Sequence, residues 1–539
     1  MGGQIWPLDL LEFEPALRIN GAVTDAAIVF AFAGSASVGL FGDALAQSKI
    51  PASSFQPDGF VEDLFLKDFV RSAFPIRVGD RLQSPNVPWL VRLLSHPPVD
   101  LRSLELRRGI TSELTQKPLL RSALQRVYEH LAQLQALLES GGDRTNPNRR
   151  QIEILSTFAE VIELFATEFS TSETALQRLH AFGVRVAESE GFRALRELLA
   201  YEGHLATLRL KVDVGSDGRI TRLQIEGVTE NRDNVFVASP LRRWMSRFEL
   251  LFRGYRFSEG EVMARMLDAV FEGVRYEFVP LVQLVGDLEF YLGALGFAER
   301  ASAAGLAVSL PDFAEPGSPR TVTDLFNPLL LGAGIRPIPC SIALDRHDAI
   351  LLVTGPNSGG KTRLLQSLAL CQLLGQSGLF VPARAATLAI TPGLVVSLIQ
   401  ETRADQTEGR LGVELMRIRA LFERLPPGAM VVLDELCSGT NPSEGEEIFE
   451  LVIEMLTLLR PQAFITTHFL AFAARLERER KVESLRFLQV ELGPNQDPTY
   501  QFRSGVAHTS LAGRAAERLG VTGEQLLGLI SKKVAQTAR

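Results

Sequence analysis

Across residues 101–138 the apolar side chains fall at helical spacing. Leu104, Leu106, Ile110, Leu114, Leu119, Leu120, Leu124, Val127, Leu131, Leu134 and Leu138 mark the run. A turn of 3.6 residues returns such positions to one face, so the pattern predicts amphipathic helix. Gly141-Gly142-Asp143 and Asn146-Pro147 break it. A second helical tract covers residues 152–169. A third opens at Ser170, where Glu173 three residues on completes a capping-box pattern. The period then changes. Leu208, Leu210, Val212 and Val214 alternate with polar residues, Gly215-Ser216-Asp217-Gly218 turns the chain, and Ile220, Leu223, Ile225 and Val228 follow. This predicts a β-hairpin over 208–228 set between helices. Helical spacing resumes after Ser258 and Glu261, another capping-box pair, and runs to about Phe278.

The two ends of the chain read differently. Up to about Pro98, apolar runs alternate with Pro- and Gly-bearing turns, which predicts a small α/β or irregular domain over residues 1–98. Residues 99–315 form the helical region. After Pro311 the chain turns rich in Pro and Gly (Pro316, Gly317, Pro319), a domain boundary. In residues 320–539, apolar β-type runs at 349–354, 395–399, 430–434 and 463–467 alternate with helices. Buried strands separated by helices predict a largely parallel sheet covered on both faces. The expected fold class is therefore multidomain, a mainly helical region followed by an α/β domain.

Size and charge refine this picture. A chain of 539 residues exceeds one hydrophobic core, so two to four domains are expected. With 46% hydrophobic and 22% charged residues it reads as folded and globular. The formal net charge of −7 supplies no global field toward nucleic acid, so any DNA contact needs a local basic patch. Arg242, Arg243, Arg247, Arg253 and Arg256, interleaved with Trp244, Phe248, Phe252, Tyr255 and Phe257, could provide one. An amphipathic helix that packs the aromatics and solvates the arginines is the preferred reading of that stretch. Cys340, Cys371 and Cys437 have no ligand-like spacing, which argues against zinc or a disulfide framework and suits a reducing cytoplasm. Residues 26–42 carry no charge, but the stretch is short for a membrane span, and no basic segment precedes it. It is expected to form buried strands joined by a Gly-Ser turn, with no membrane partner.

Three segments carry chemistry. Gly355-Pro356-Asn357-Ser358-Gly359-Gly360-Lys361-Thr362 fits G-x-x-x-x-G-K-[ST], between an apolar strand and a helix. Glycines let backbone N–H groups curl around a phosphate, and the helix N-terminus adds its positive dipole end. Lys361 would reach the β- and γ-phosphates of ATP, and the Thr362 hydroxyl would ligate Mg²⁺. Met430-Val431-Val432-Leu433-Asp434-Glu435 ends a second strand in two carboxylates. There Asp434 can hold Mg²⁺ through water, and Glu435 can act as general base toward the attacking water. Ala463-Phe464-Ile465-Thr466-Thr467-His468 ends a third strand in a hydroxyl pair and a histidine. His468 alone would read as a satisfied strand-end polar group. Beside the other two segments it becomes a candidate sensor of the γ-phosphate.

These segments resemble the MutS family. Thr354 to Thr362 looks like its TGPNMGGKS/T loop, and Leu433-Asp434-Glu435 with Gly439-Thr440-Asn441-Pro442 looks like its LDE-x-x-x-GT segment. Thr466-Thr467-His468-Phe469 is similar to its THY/THF element. Gly378-Leu379-Phe380-Val381-Pro382-Ala383, Asn327-Pro328-Leu329, and Gly505-Val506-Ala507 with Ser510 match further family patterns. Fainter likeness to the family's lever helices extends upstream, over residues 101–114 and 288–301. The resemblance implies an ABC-like P-loop ATPase domain and two such domains paired as a homodimer. It also implies ATP-driven movement of helical arms around DNA, in mismatch repair or recombination, with the 208–228 hairpin in a clamp-like place. Two departures stand out. The family's Ser-Thr-Phe signature, whose serine contacts the partner's nucleotide, has only Thr407 as a hydroxyl counterpart. The mismatch-reading G-x-F-x-E motif is reduced to Phe60-Val61-Glu62, a chance match ahead of too little chain to form that domain. A structure-specific rather than mismatch-specific DNA role is expected. The alternative is a nucleotide-gated regulatory dimer with no DNA role. The lack of an LSGGQ-like signature and of a long heptad arm disfavours a general ABC- or SMC-type ATPase.

Overall fold

The computed structural model describes residues 5–507 except 36–37, 80, 141–146, 203–205, 215–219, 231–258, 399–409, 438–440 and 495–496. Beyond 507 it describes 523, 526–528 and 530. The Arg242 to Phe257 stretch, the hairpin turn, Ser258, Thr407, Gly439-Thr440 and Ser510 lie outside the described residues.

The chain divides into two compact units. One comprises Met1–Pro51, Pro75–Leu90 and Asp100–Leu295, and the other Ala52–Phe74, Val91–Val99 and Gly296–Arg539. Residues 1–98, expected as a domain of their own, are thus shared between both. Their apolar side chains explain why. Phe32 stacks on Phe271 at 3.9 Å between ring centroids, inside the first unit. Phe69 and Phe74 pack against Phe297, inside the second.

The first unit is mainly helical, with helices Leu101–Gln116, Pro118–Glu139, Pro147–Glu168, Gln177–Ala187, Glu190–Glu202 and Glu259–Val274, and most of Phe278–Ala303. Two short strands, β1 (Ile76–Val78) and β2 (Arg81–Gln83), pair antiparallel. The hairpin is present as β3 (Ala206–Val214) and β4 (Ile220–Glu230), with Leu208 opposite Val228 and Val212 opposite Leu223.

Several local expectations are corrected. The described residues of 26–42 form no strand. Helices Gly21–Phe32 and Leu40–Ala46 take up most of them, the first helix capped by the Asn20 side chain on the Val23 N–H. The apolar run across 101–138 is two helices, because Pro118 lacks the N–H to continue the first and starts the second. Ser170 caps no helix, and the next one begins at Gln177. The intervening turn is organised instead by Glu113. It accepts from the Ser172 hydroxyl at 2.8 Å and the Glu173 N–H at 2.8 Å, and also from Thr174 and Lys117. Burial alone would raise this carboxyl, but those hydrogen bonds outweigh it and hold it down at about 2.

The stretch Met263–Ala303 is long and apolar enough to cross a membrane, and its most apolar window is wholly buried within the fold. Its buried carboxylates Asp287 and Glu289 are both hydrogen-bonded, as a core helix requires. Asp287 accepts from the Leu10 N–H and pairs with Arg18, which also pairs with Asp9 at 2.5 Å. Glu289 accepts from the Asn86 N–H at 2.7 Å and the Tyr128 hydroxyl at 3.0 Å.

The second unit holds two sheets. After β5 (Asp312–Phe313), β6 (Arg320–Leu325) and β7 (Cys340–Leu344), the chain enters β8 (Ile350–Thr354). It then returns through β9 (Ala385–Leu388), so β5-β9-β6-β7 form one sheet. β10 (Leu394–Ser397), β11 (Met430–Leu433), β12 (Gln462–Thr466), β13 (Leu485–Leu492) and β14 (Pro498–Ser504) join β8 in the other, ordered β10-β11-β12-β8-β13-β14. All neighbours in it are parallel except the last pair. Every residue of β8, β11 and β12 is buried, which accounts for their unbroken apolar runs. Phe449, Val452 and Phe472 pack in one hydrophobic cluster with strand residues such as Val431 and Ile465. The register sets Leu433 beside Ile465 and Ile465 beside Leu352, so these strands end together at one edge of the sheet.

Glu289 generates a pH prediction. Burial raises its carboxyl to about 7, and its two hydrogen bonds offset this only in part. Below the ordinary carboxylate range it is protonated in folded and unfolded chains alike. Between that range and pH 7 the folded chain keeps a proton the unfolded chain has lost, so stability falls as pH rises. Glu289→Gln should therefore gain on the order of 3 kcal/mol over the native chain at pH 8 and little at pH 4. Urea unfolding at both pH values checks this, and an equal pH dependence in the two proteins contradicts it.

Candidate functional site

β8 delivers the chain into the glycine loop. Gly355 has φ +132° and Gly360 has φ +86°, conformations that side chains rarely adopt. Space is equally restrictive. A Cβ on Gly355 or Gly359 would lie 2.7 Å from the Val490 side chain, and one on Gly360 would lie 3.1 Å from the Tyr500 ring. The loop then opens directly into helix Lys361–Gln376, with Gly360 as its N-cap. Lys361 is 3% exposed. Its ammonium donates to the Gly355 carbonyl at 2.8 Å and the Pro356 carbonyl at 3.2 Å. Burial lowers its pKa, opposed by the charges of Glu435 and Asp434.

The three motif segments converge here. The Thr362 hydroxyl donates to Asp434 Oδ2 at 2.6 Å. The Thr466 hydroxyl donates to Asp434 Oδ1 and accepts from the Glu435 N–H at 2.8 Å. Asp434 is further fixed by its own N–H, which donates to the Ser397 carbonyl at 3.0 Å. Glu435 sits at φ +50° and Cys437 at φ +61°, so the chain leaves β11 through a sharply turned segment. His468 is exposed at the end of β12, its ring 4.6 Å from that of Phe469. The carboxylates, the loop hydroxyl, the loop lysine and the histidine all belong to the same edge of the sheet. Sequence reasoning gave Thr466 no role beyond the strand-end hydroxyl pair, and it passed over Val490 and Tyr500. A hydroxyl at a strand end was visible for Thr466, but nothing local signalled the other two.

Supporting segments are tied to this edge as well. Asn327 caps helix Pro328–Gly332 through the Leu329 and Leu330 N–H groups, and its amide donates to the Arg363 carbonyl at 3.0 Å. The Pro382 carbonyl accepts from the Phe326 N–H at 2.9 Å. Thr354 accepts from the Ala507 N–H at 2.9 Å, which anchors the 505–507 segment beside the loop. Cys340, Cys371 and Cys437 are free and buried, and burial pushes each thiol up to about 12.

Residues 351–535 match the family described as MutS domain V. Similar curated proteins include Endonuclease MutS2 of Thermus thermophilus, 34% identical over 231 residues. That match covers 42% of this chain and 30% of the relative. Endonuclease MutS2 of Thermomicrobium roseum is 31% identical over 186 residues, 34% of this chain and 23% of the relative. That of Streptococcus thermophilus is 27% identical over 272 residues, 49% of this chain and 33% of the relative. The similarity to the MutS family thus lies in the C-terminal domain of this chain. The matched region spans a third or less of each of these relatives' length.

Against the MutS pattern, Phe60 of the Phe60-Val61-Glu62 tripeptide is a core residue. It is 1% exposed and lies edge-on to Phe55. A ring buried this way is not available to wedge into a base stack.

The glycine cradle yields a stability test. Gly359→Ala should cost about 1–3 kcal/mol through overpacking against Val490. Added to Val490→Ala, it should cost less than it does alone. Gly355→Ala should be rescued less by Val490→Ala, because its φ of +132° remains strained. A double-mutant cycle in urea measures both couplings, and strict additivity for Gly359 and Val490 would contradict the cradle.

Proposed function

We propose that this protein is a MutS-type P-loop ATPase that binds ATP and Mg²⁺ at this edge of the sheet. We propose further that it works in the cytoplasm as a homodimer on DNA, in repair or recombination. The observation that carries the ATPase reading is the 2.6 Å hydrogen bond between Thr362 and Asp434, which joins the phosphate loop to the strand-end acid pair.

The residues present fit a magnesium nucleotide. A loop without side chains at Gly355 and Gly359 lets phosphate oxygens approach its backbone closely. A hydroxyl beside a carboxylate is the hard-oxygen pair that Mg²⁺ takes together with waters. Thr362 and Asp434 would hold the metal, which when bound neutralises charge on the phosphate oxygens. Lys361 would exchange its two loop carbonyls for phosphate oxygens. The Glu435 carboxylate would take the proton of the attacking water, giving ADP and phosphate. The exposed His468 imidazole would orient the γ-phosphate. Asn441, whose side chain caps helix Pro442–Leu459, follows the Gly439-Thr440 segment that the family resemblance places toward a partner subunit.

Lys361→Ala is expected to abolish ATP binding. Glu435→Gln should bind ATP, turn over about 10²–10⁴-fold more slowly, and sediment as a dimer with ATP present. Equal turnover in Glu435→Gln and the native chain removes Glu435 as the base.

For DNA, the burial of Phe60 supports contacts to backbone and shape rather than to a mismatch, whereas the net charge of −7 favours the regulatory dimer. Matched and mismatched duplexes should bind with similar affinity, and binding should weaken steeply with salt. A mismatch preference lost in Phe60→Ala would overturn the first expectation. No binding to any duplex or junction, with or without ATP, would favour the regulatory dimer without a DNA role.

A further inference from the structure

We propose that Thr466 is a positioning residue for Mg²⁺-dependent nucleotide binding, holding Asp434 in place when Thr362 turns from it to the metal. The inference rests on the ATPase reading above and adds to it a role for the first residue of Thr466-Thr467-His468-Phe469.

The chemistry of one hydroxyl carries the argument. Thr466 is fully buried at the end of β12. Its oxygen receives the Glu435 N–H at 2.8 Å, and a backbone amide can only donate. The hydroxyl proton is therefore left for Asp434 Oδ1, which it contacts. One side chain thus joins the carboxylate of the first acid to the backbone of the second. The other Asp434 oxygen is held by Thr362, the same hydroxyl expected on Mg²⁺. Once Thr362 changes partner, Thr466 is the side-chain hydroxyl still fixing Asp434 Oδ1. It also supplies the acceptor for the Glu435 amide, at a backbone angle of φ +50° that a non-glycine residue adopts only under restraint. Thr466 reaches both acids because β11 and β12 run parallel in step, with Leu433 beside Ile465.

The test compares the native chain with Thr466→Val, which keeps the shape and removes the hydroxyl, and with Thr466→Ser, which restores it. The probe is a fluorescent N-methylanthraniloyl derivative of ATP, titrated with Mg²⁺ and again in excess EDTA. Thr466→Val should lose about tenfold in affinity with Mg²⁺ and keep the native affinity in EDTA. Thr466→Ser should behave as the native chain in both. Melting without nucleotide checks the fold, and Thr466→Ala serves in place of valine if the valine variant does not fold. A native Mg²⁺-dependent gain in the hydroxyl-free variant overturns the proposal, as does an equal loss with Mg²⁺ and EDTA. If the native chain binds no nucleotide under either condition, the ATPase reading and this inference fall together.

Discussion

The candidate site depends on the register of three parallel strands. β8, β11 and β12 pair so that Leu352, Ile465 and Leu433 lie side by side. The residues that follow therefore emerge at one edge: the glycine loop, the acid pair and the hydroxyl pair. A slip of one residue would turn every buried side chain of a strand to the opposite face. Here both faces are covered, and each position of these strands is apolar or, at Gln462, Thr354 and Thr466, polar within the core. The alternation that fixes a half-buried strand is missing, so the packed shapes on either face must hold the register. Phe449, Val452 and Phe472 take part in that packing, far in sequence from the loop they help to place.

The first unit solves a different problem. Its buried helix carries two carboxylates two residues apart, and each is handled differently. Asp287 shares Arg18 with Asp9, and through them the N-terminal segment is bound to the helix. Glu289 has no cation in its hydrogen bonds, only a hydroxyl and an amide. Burial accordingly raises both carboxyls to about 7, with Arg18 opposing the rise at Asp287. Buried ion pairs of this kind seldom add net stability over apolar packing, but losing one partner is costly. Their effect here is to dictate which residues of the N-terminal segment meet which turn of the helix.

Much of this was legible in the sequence, and what was not has definite physical causes. The apolar runs that became β8, β11 and β12 were plain, because continuous burial leaves a continuous apolar signature, and the run at β10 was plain although its residues are buried only alternately. The hairpin was plain from alternation. The capping-box pattern at Ser170 failed because Glu113, some sixty positions earlier in the chain, competes for the same hydrogen-bonding groups. Residues 26–42 were read as strands because an uncharged Ala-, Gly- and Ser-rich run carries little period of either kind; Asn20 starts a helix there instead. The sharing of residues 1–98 between two units was invisible, since nothing local shows that Phe69 meets Phe297 while Phe32 meets Phe271. Thr466 looked like any strand-end hydroxyl. Its importance comes from the neighbouring strand, and no spacing within its own segment reveals that.

The site also separates what must move from what must not. Lys361 and Thr362 are held by partners that a phosphate and a metal ion would replace: two loop carbonyls and one carboxylate oxygen. Exchanging one hydrogen bond for another of similar strength costs little, so binding there needs no reorganisation of the core. Gly355, Gly359 and Gly360 are pinned by backbone angle and by Val490 and Tyr500. Asp434 is pinned by Ser397 through its amide and by Thr466 through its side chain. Preorganised groups of this kind act on developing charge without paying for their own alignment at that moment. Their alignment was completed when the strands folded into register. The acid pair can therefore stay in place while the loop hydroxyl and the lysine change partners around it.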